Sequence, residues 1–86
     1  MLHDQHYQII HEKIAVAGVY AHAKFIPKKI RWGRKVLPVE HITMSAEVRD
    51  GAVRMRMYSI VSLGTVYRVS FNRDTEQWFL EEVWCE

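Results

Sequence analysis

With 86 residues, 49% of them hydrophobic and 26% charged, the chain has the balance of one small globular domain rather than a disordered segment. The formal net charge of +2 is too small to argue for any partner by itself, and the single cysteine, Cys85, excludes an intrachain disulfide framework and fits a reducing compartment. No apolar run approaches the roughly 18 residues of a membrane helix. Met1–Tyr20 also lacks the charged-then-apolar order of a secretory leader, so a cytoplasmic protein is expected.

Met1–Glu12 is polar and histidine-rich and reads as a loosely ordered arm. Lys13–Ala23 fits two patterns. Tyr7, Ile10, Ile14, Ala17 and Ala21 fall at helical spacing, whereas Ile14, Val16 and Tyr20 alternate as in a strand. Gly18 and the β-branched Val16 and Val19 weigh toward the strand, leaving a short N-terminal helix as the alternative. Phe25–Trp32 alternates more plainly, with Ile26, Ile30 and Trp32 on one side and Lys29 and Arg31 on the other. Pro27 has no N–H for a ladder, so this strand should begin late or lie at an edge. Gly33-Arg34-Lys35 turns the chain so that Trp32 meets Val36, and Pro38 interrupts the ladder before Ile42.

From Ile42 to Phe71 the pattern predicts two hairpins sharing a strand. Asp50-Gly51 is a two-residue turn signal. Folding there pairs Val48 with Val53, Ala46 with Met55 and Met44 with Met57 on an apolar face. The other face then pairs Glu47 with Arg54, Ser45 with Arg56 and Thr43 with Tyr58. At Ser62-Leu63-Gly64 a three-residue loop opposes Met57 with Val69 and Met55 with Phe71. A two-residue loop would oppose Met57 with Ser70, so the longer loop is preferred. Arg73-Asp74-Thr75-Glu76 makes a four-residue connection that pairs Phe71 with Trp78 and Val69 with Leu80. Beyond it, either the last strand leaves the core or a bulge at Glu81-Glu82 turns Val83 inward.

The reading is a mainly β fold in a single domain. Residues 13–86 form five or six antiparallel strands in a meander, as a strongly twisted sheet or a half-open SH3-like barrel. Its inner positions are Ile30, Trp32, Ile42, Met44, Val53, Met55, Met57, Tyr67, Val69, Phe71, Trp78 and Leu80. Tyr58, Ile60 and Phe79 then point outward.

The stretch Pro27-Lys28-Lys29-Ile30-Arg31-Trp32-Gly33-Arg34, followed by Val36 and Ile42, resembles a pattern in a family of small uncharacterised bacterial β-proteins. Tyr67, Asp74, Trp78 and Leu80 are similar to the family's tyrosine strand, Asp turn and Trp-x-Leu ending. The first twenty residues match it poorly, and one residue is missing between Trp32 and Gly33. The resemblance implies a β architecture and supplies no catalytic residue.

The basic run is the leading candidate for function. Lys24, Lys28, Lys29, Arg31, Arg34 and Lys35 fall within twelve residues that contain no acid, while Glu76, Glu81, Glu82 and Glu86 fall in the last eleven, which contain no base. Lys28, Lys29, Arg31 and Arg34, with Arg54, Arg56, Tyr58, Arg68 and Phe79 on the outer sheet face, could track phosphates and stack bases. A solvated lysine-rich edge is the plainer alternative.

Two other chemistries have less behind them. His3, His6 and His11, beside Asp4 and Glu12, offer metal ligands, but no Cys/His pair follows at a finger-like spacing, so neither metal nor cofactor is expected. Cys85 sits among carboxylates that disfavour its thiolate, and Glu81 and Glu82 alternate to opposite faces, so no enzyme is expected. A binding or assembly module follows, self-associating as a homodimer through its outer sheet face, with nucleic-acid binding as the alternative. No small-molecule substrate is evident.

Overall fold

A computed structural model describes residues 7–85. The strands are β1 (Tyr7–Ala21), β2 (Lys24–Trp32), β3 (Lys35–Pro38), β4 (His41–Asp50), β5 (Val53–Ser62), β6 (Thr65–Asn72) and β7 (Gln77–Cys85). All pairings are antiparallel, in one open seven-stranded sheet of order β3-β2-β1-β7-β6-β5-β4. Seven strands replace the expected five or six, and among the described residues there is no helix. The two candidate N-terminal patterns resolve as strand. Tyr7–Glu12, expected to be loosely docked, is the first half of β1, and residues 1–6 lie outside the described residues.

β1 changes partner along its length. Tyr7–Ile14 pairs with β7 and Ala15–Ala21 pairs with β2. The switch lets the sheet curl, so that Ile30 and Leu37 of β2 and β3 pack in one core with Tyr58, Ile60, Tyr67, Val69, Leu80 and Val83. The chain between β3 and β4 helps hold the curl, as the Val39 N–H donates to Lys28 O (2.9 Å) and the Glu40 N–H to Val61 O (2.9 Å).

The hairpin registers differ from the expected ones in an instructive way. The central turn is Gly51-Ala52, with Asp50 opposite Val53, Ala46 opposite Met57 and Val48 opposite Met55. Gly51 has φ +63 and Ala52 has no positive φ, as a type II′ turn requires with glycine first. This slip of two residues preserves the faces. The next turn is the two-residue Leu63-Gly64, with φ of +51 and +78 in the type I′ manner. Met57 therefore stands opposite Ser70, and Tyr58 opposite Val69.

A one-residue difference in loop length exchanges the two faces of a strand. Tyr58 and Ile60, expected outside, are buried, whereas Met44 and Val48 are 38% and 43% exposed on the opposite face. Val53, Met55 and Met57 are only half-buried there. Between β2 and β3 the same slip sets Trp32 against Lys35, so Leu37 is buried and Val36 exposed.

Pro27, expected to delay its strand or place it at an edge, lies inside β2, which begins at Lys24 and runs between β1 and β3; it is tolerated where β2 is paired on one side only, opposite Gly18 and before the β3 ladder begins at Lys29. Beyond β6 the expected pairs are observed. Phe71 pairs with Trp78 and Val69 with Leu80 across the Arg73–Glu76 connection, and a bulge at Glu81 returns Val83 to the core opposite Tyr67. Asn72 Oδ1 shapes that connection by accepting the Asp74 (2.9 Å) and Thr75 (3.1 Å) backbone N–H groups. Ser70, beneath Met57 and Phe79 on the outer face, is 2% exposed and donates its hydroxyl to Glu81 Oε2 at 2.6 Å.

Candidate functional site

Past the Ile14–Trp78 pair, β1 leaves β7 and continues with β2 as a hairpin over the inner face. Its tip faces the ends of β4 to β7 across an open cleft of about 410 Å³. The aromatic lining comes from both sides: Tyr20 and Phe25 from the hairpin, and Tyr58, Phe71 and Trp78 from the sheet. Trp78 is at the centre. Its ring lies 4.8 Å from Phe71, 5.6 Å from Tyr58 and 5.7 Å from Phe25, and Tyr20 meets Phe25 edge-on at 5.3 Å.

The local sequence explains the convergence. Phe71 and Trp78 are directly opposite on neighbouring strands, and Tyr58 follows on the next strand, on the same face. Phe25 reaches them because β1 narrows at Gly18, where a bulge sets it opposite Pro27. A Cβ there would lie 2.2 Å from the Ile26 carbonyl oxygen and 2.8 Å from the Phe25 ring.

The rim is cationic. Lys24, Arg56 and Arg73 line the cleft, and among the described residues no carboxylate does. Glu47, just outside, accepts on Oε2 from Arg56 Nη2 (3.3 Å) and Arg73 Nη1 (2.5 Å), while Arg56 Nη1 donates to Ser45 Oγ (3.2 Å). One carboxylate thus aligns two guanidinium groups and leaves the mouth positive. These pairs are solvated and add little stability, so their effect is to fix geometry. Burial raises the Tyr58 phenol above its ordinary pKa, with the nearby Arg56 opposing, so it stays a neutral hydroxyl near neutral pH.

Apolar walls with a few convergent charged groups are the usual composition of a ligand site. Aromatic faces accept a planar ring, and guanidinium groups accept carboxylate or phosphate oxygens. Among the described residues, no three His, Cys, Asp or Glu side chains come together to hold a metal ion. His3, Asp4 and His6 lie outside the described residues. His11 bonds Glu81 through Nδ1 at 2.8 Å and stacks on Phe79 at 5.0 Å.

The residues expected to form one basic surface are dispersed. Arg56 and Tyr58 lie in the cleft, with Arg54 on the same face. Lys29 and Arg31 alternate away from buried Ile30, Lys28 is exposed, and Arg34 is in the β2–β3 turn. Arg68 and Phe79 are on the opposite face. Arg68 lies 4.9 Å from the Trp84 ring and bonds Glu82 at 3.2 Å. The acidic C-terminal strand is thus partnered by His11, Ser70 and Arg68 rather than by the basic second strand.

Sequence reasoning missed Tyr20, Phe25 and Arg73 as site residues, named Lys24 only as part of the basic run, and assigned Phe71 and Trp78 to plain core. The available signal was aromatic excess, since Phe71 and Trp78 face inward yet remain only half-buried. Compared with protein-family models, curated proteins and solved structures, the chain matches none of them, so the cleft itself carries the functional argument.

Proposed function

We propose that the protein is a non-enzymatic binding module whose working surface is this cleft, and that the occupant combines a planar ring with a negatively charged group. The supporting observation is the half-exposed Trp78, surrounded by Phe25, Tyr58 and Phe71 and overlooked by Lys24, Arg56 and Arg73. A ring at Trp78 would exchange water for aromatic contact, and its anion would meet guanidinium groups already aligned by Glu47. The one exposed cysteine agrees with work in a reducing compartment.

Tryptophan fluorescence tests this in a variant with Trp32 and Trp84 replaced by phenylalanine. Nucleoside monophosphates and aromatic carboxylates should quench Trp78, whereas uncharged nucleosides and inorganic phosphate should act far more weakly. No response to any ring-bearing anion would remove the proposal.

Self-association is the second reading, now with a different surface. Tyr58 and Ile60 are core residues and cannot mediate it. β4 is a ten-residue edge strand with exposed Ile42, Met44 and Val48, and a second copy could pair with it antiparallel across a two-fold axis. Ser45→Pro would block such pairing. A sedimentation profile that is monomeric at all accessible concentrations would dismiss this reading.

A further inference from the structure

We infer that the occupant of the cleft is a single-stranded nucleic acid, with one base against Trp78 and Phe25 and the sugar–phosphate backbone following the arginines of the β4–β5 hairpin. This rests on the cleft being a binding site at all, and it adds the class of ligand.

The argument comes from the face on which the cations lie. Side chains two apart on a strand share a face, so Arg54 and Arg56 stand in file with Tyr58. Arg49 is the cross-strand neighbour of Arg54, as Glu47 is of Arg56, and Asp50 alternates to the other face. Arg73 is tied to Arg54 by its backbone N–H (3.0 Å to Arg54 O), and its guanidinium joins the file by donating to Glu47. The positive surface therefore continues out of the cleft along the hairpin, with Glu47 as the carboxylate placed within it.

The Arg49–Arg54 pair is informative. Like charges directly opposite each other repel, and such a pair destabilises a hairpin. Among the described residues neither arginine has an ion-pair partner. An anion lying between them would relieve the repulsion. A free mononucleotide seated at Trp78 would engage Arg56 and Arg73 and leave this pair unanswered. A strand supplies further phosphates at the required places. Its bases must be unstacked to reach Trp78, which favours a single strand over a duplex.

The test is fluorescence anisotropy with a labelled oligothymidylate of about 12 nucleotides, within the site sizes of small β modules. Binding should weaken with salt by about 0.7 log unit per log unit of salt for each phosphate neutralised. Trp78→Ala should weaken it roughly five- to a hundredfold, as loss of one stacked base does. Because Trp78 also packs on the core, a second variant carries the test independently. Arg49→Ala with Arg54→Ala, both exposed, should weaken binding and flatten the salt dependence with the fold intact. Lys29→Ala with Arg31→Ala, on the other side of β2, should leave binding unchanged.

Thymidine monophosphate should bind at least tenfold more weakly than the oligomer. Equal affinity would overturn the strand assignment while leaving the cleft as a small-anion site. A polyglutamate peptide binding as well as the oligonucleotide, or equal losses from the Lys29/Arg31 variant, would overturn it too. No binding by monomer or oligomer would overturn this inference, and the cleft reading would fall with it only if aromatic carboxylates and the other nucleoside monophosphates also left Trp78 unquenched.

Discussion

Phe25 and Trp78 meet at a tilt with ring centroids 5.7 Å apart, joining the tip of the β1–β2 hairpin to β7 across the cleft. This relationship depends on a residue that lines neither the cleft nor the buried core. Gly18 lets the Ile26 backbone and the Phe25 ring approach closer than any side chain allows.

Gly18→Ala should therefore destabilise the fold by about 1–3 kcal/mol, the usual cost of overpacking. Denaturant midpoints measure it. The nearest obstacle is the Ile26 carbonyl oxygen, so adding Phe25→Ala should not rescue the variant. Full rescue would place the cost on the ring instead and contradict the backbone contact.

The registers make a sharper prediction about faces. Ile60 is fully buried, whereas Met44 is 38% exposed on the opposite side. Ile60→Asp should abolish cooperative unfolding, because an unpaired charge would sit in the core. Met44→Asp should cost less than about 1 kcal/mol, as exposed substitutions do. Thermal melts of both variants decide it, and the reverse order would mean that the sheet is inside out.

The contrast shows how far the sequence could be read. Four-residue closure at Arg73–Glu76 and inward Tyr67, Val69 and Leu80 were legible, because period-two patterning in β6 and β7 agrees with a single loop length, and the Glu81 bulge was one of the two continuations that the pattern allowed. The β4–β5 faces were not. Met44, Met55 and Met57 form an apolar row as convincing as Tyr58 and Ile60, and the choice rested on preferring Val69 over Ser70 as a neighbour of Met57. Ser70 is buried without penalty because Glu81 accepts its hydroxyl, a pairing across strands that no local pattern announces. The cleft was hidden for a related reason. Its residues come from β1, β2, β4 to β7 and two turns, and meet only once the curl is known.

At the tip of the β1–β2 hairpin, His22 and Ala23 have φ of +52 and +64. The left-handed region costs an L-residue about 1–2 kcal/mol, and Ala23 has no side-chain hydrogen bond to offset it. Ala23→Gly should raise stability by about 0.5–1 kcal/mol, the strain relieved less the entropy glycine loses on folding. A lower melting temperature for Ala23→Gly would argue against this turn geometry.

Alkaline pH should weaken the fold through Tyr58 and Tyr67, whose phenols burial raises above the ordinary value of 10.0. The folded state holds these protons more tightly than the unfolded chain. Their contribution is thus intact below pH 10 and falls as pH rises through the folded-state values. Urea midpoints should be level from neutrality to about pH 9.5 and decline above 10. Tyr58→Phe should make that decline shallower, and an unchanged slope would remove Tyr58 from the account.

The divided pairing of β1 also bears on how the protein is made. The β4–β5 and β5–β6 hairpins can close as they leave the ribosome, since each joins neighbouring segments. Tyr7–Ile14 cannot, because its partner is Gln77–Cys85, the last described strand to be synthesised. Contacts so distant in sequence form slowly. The nascent chain must carry the unpaired first half of β1 until β7 has been synthesised and has left the ribosome, which makes that interval the period of greatest exposure to aggregation.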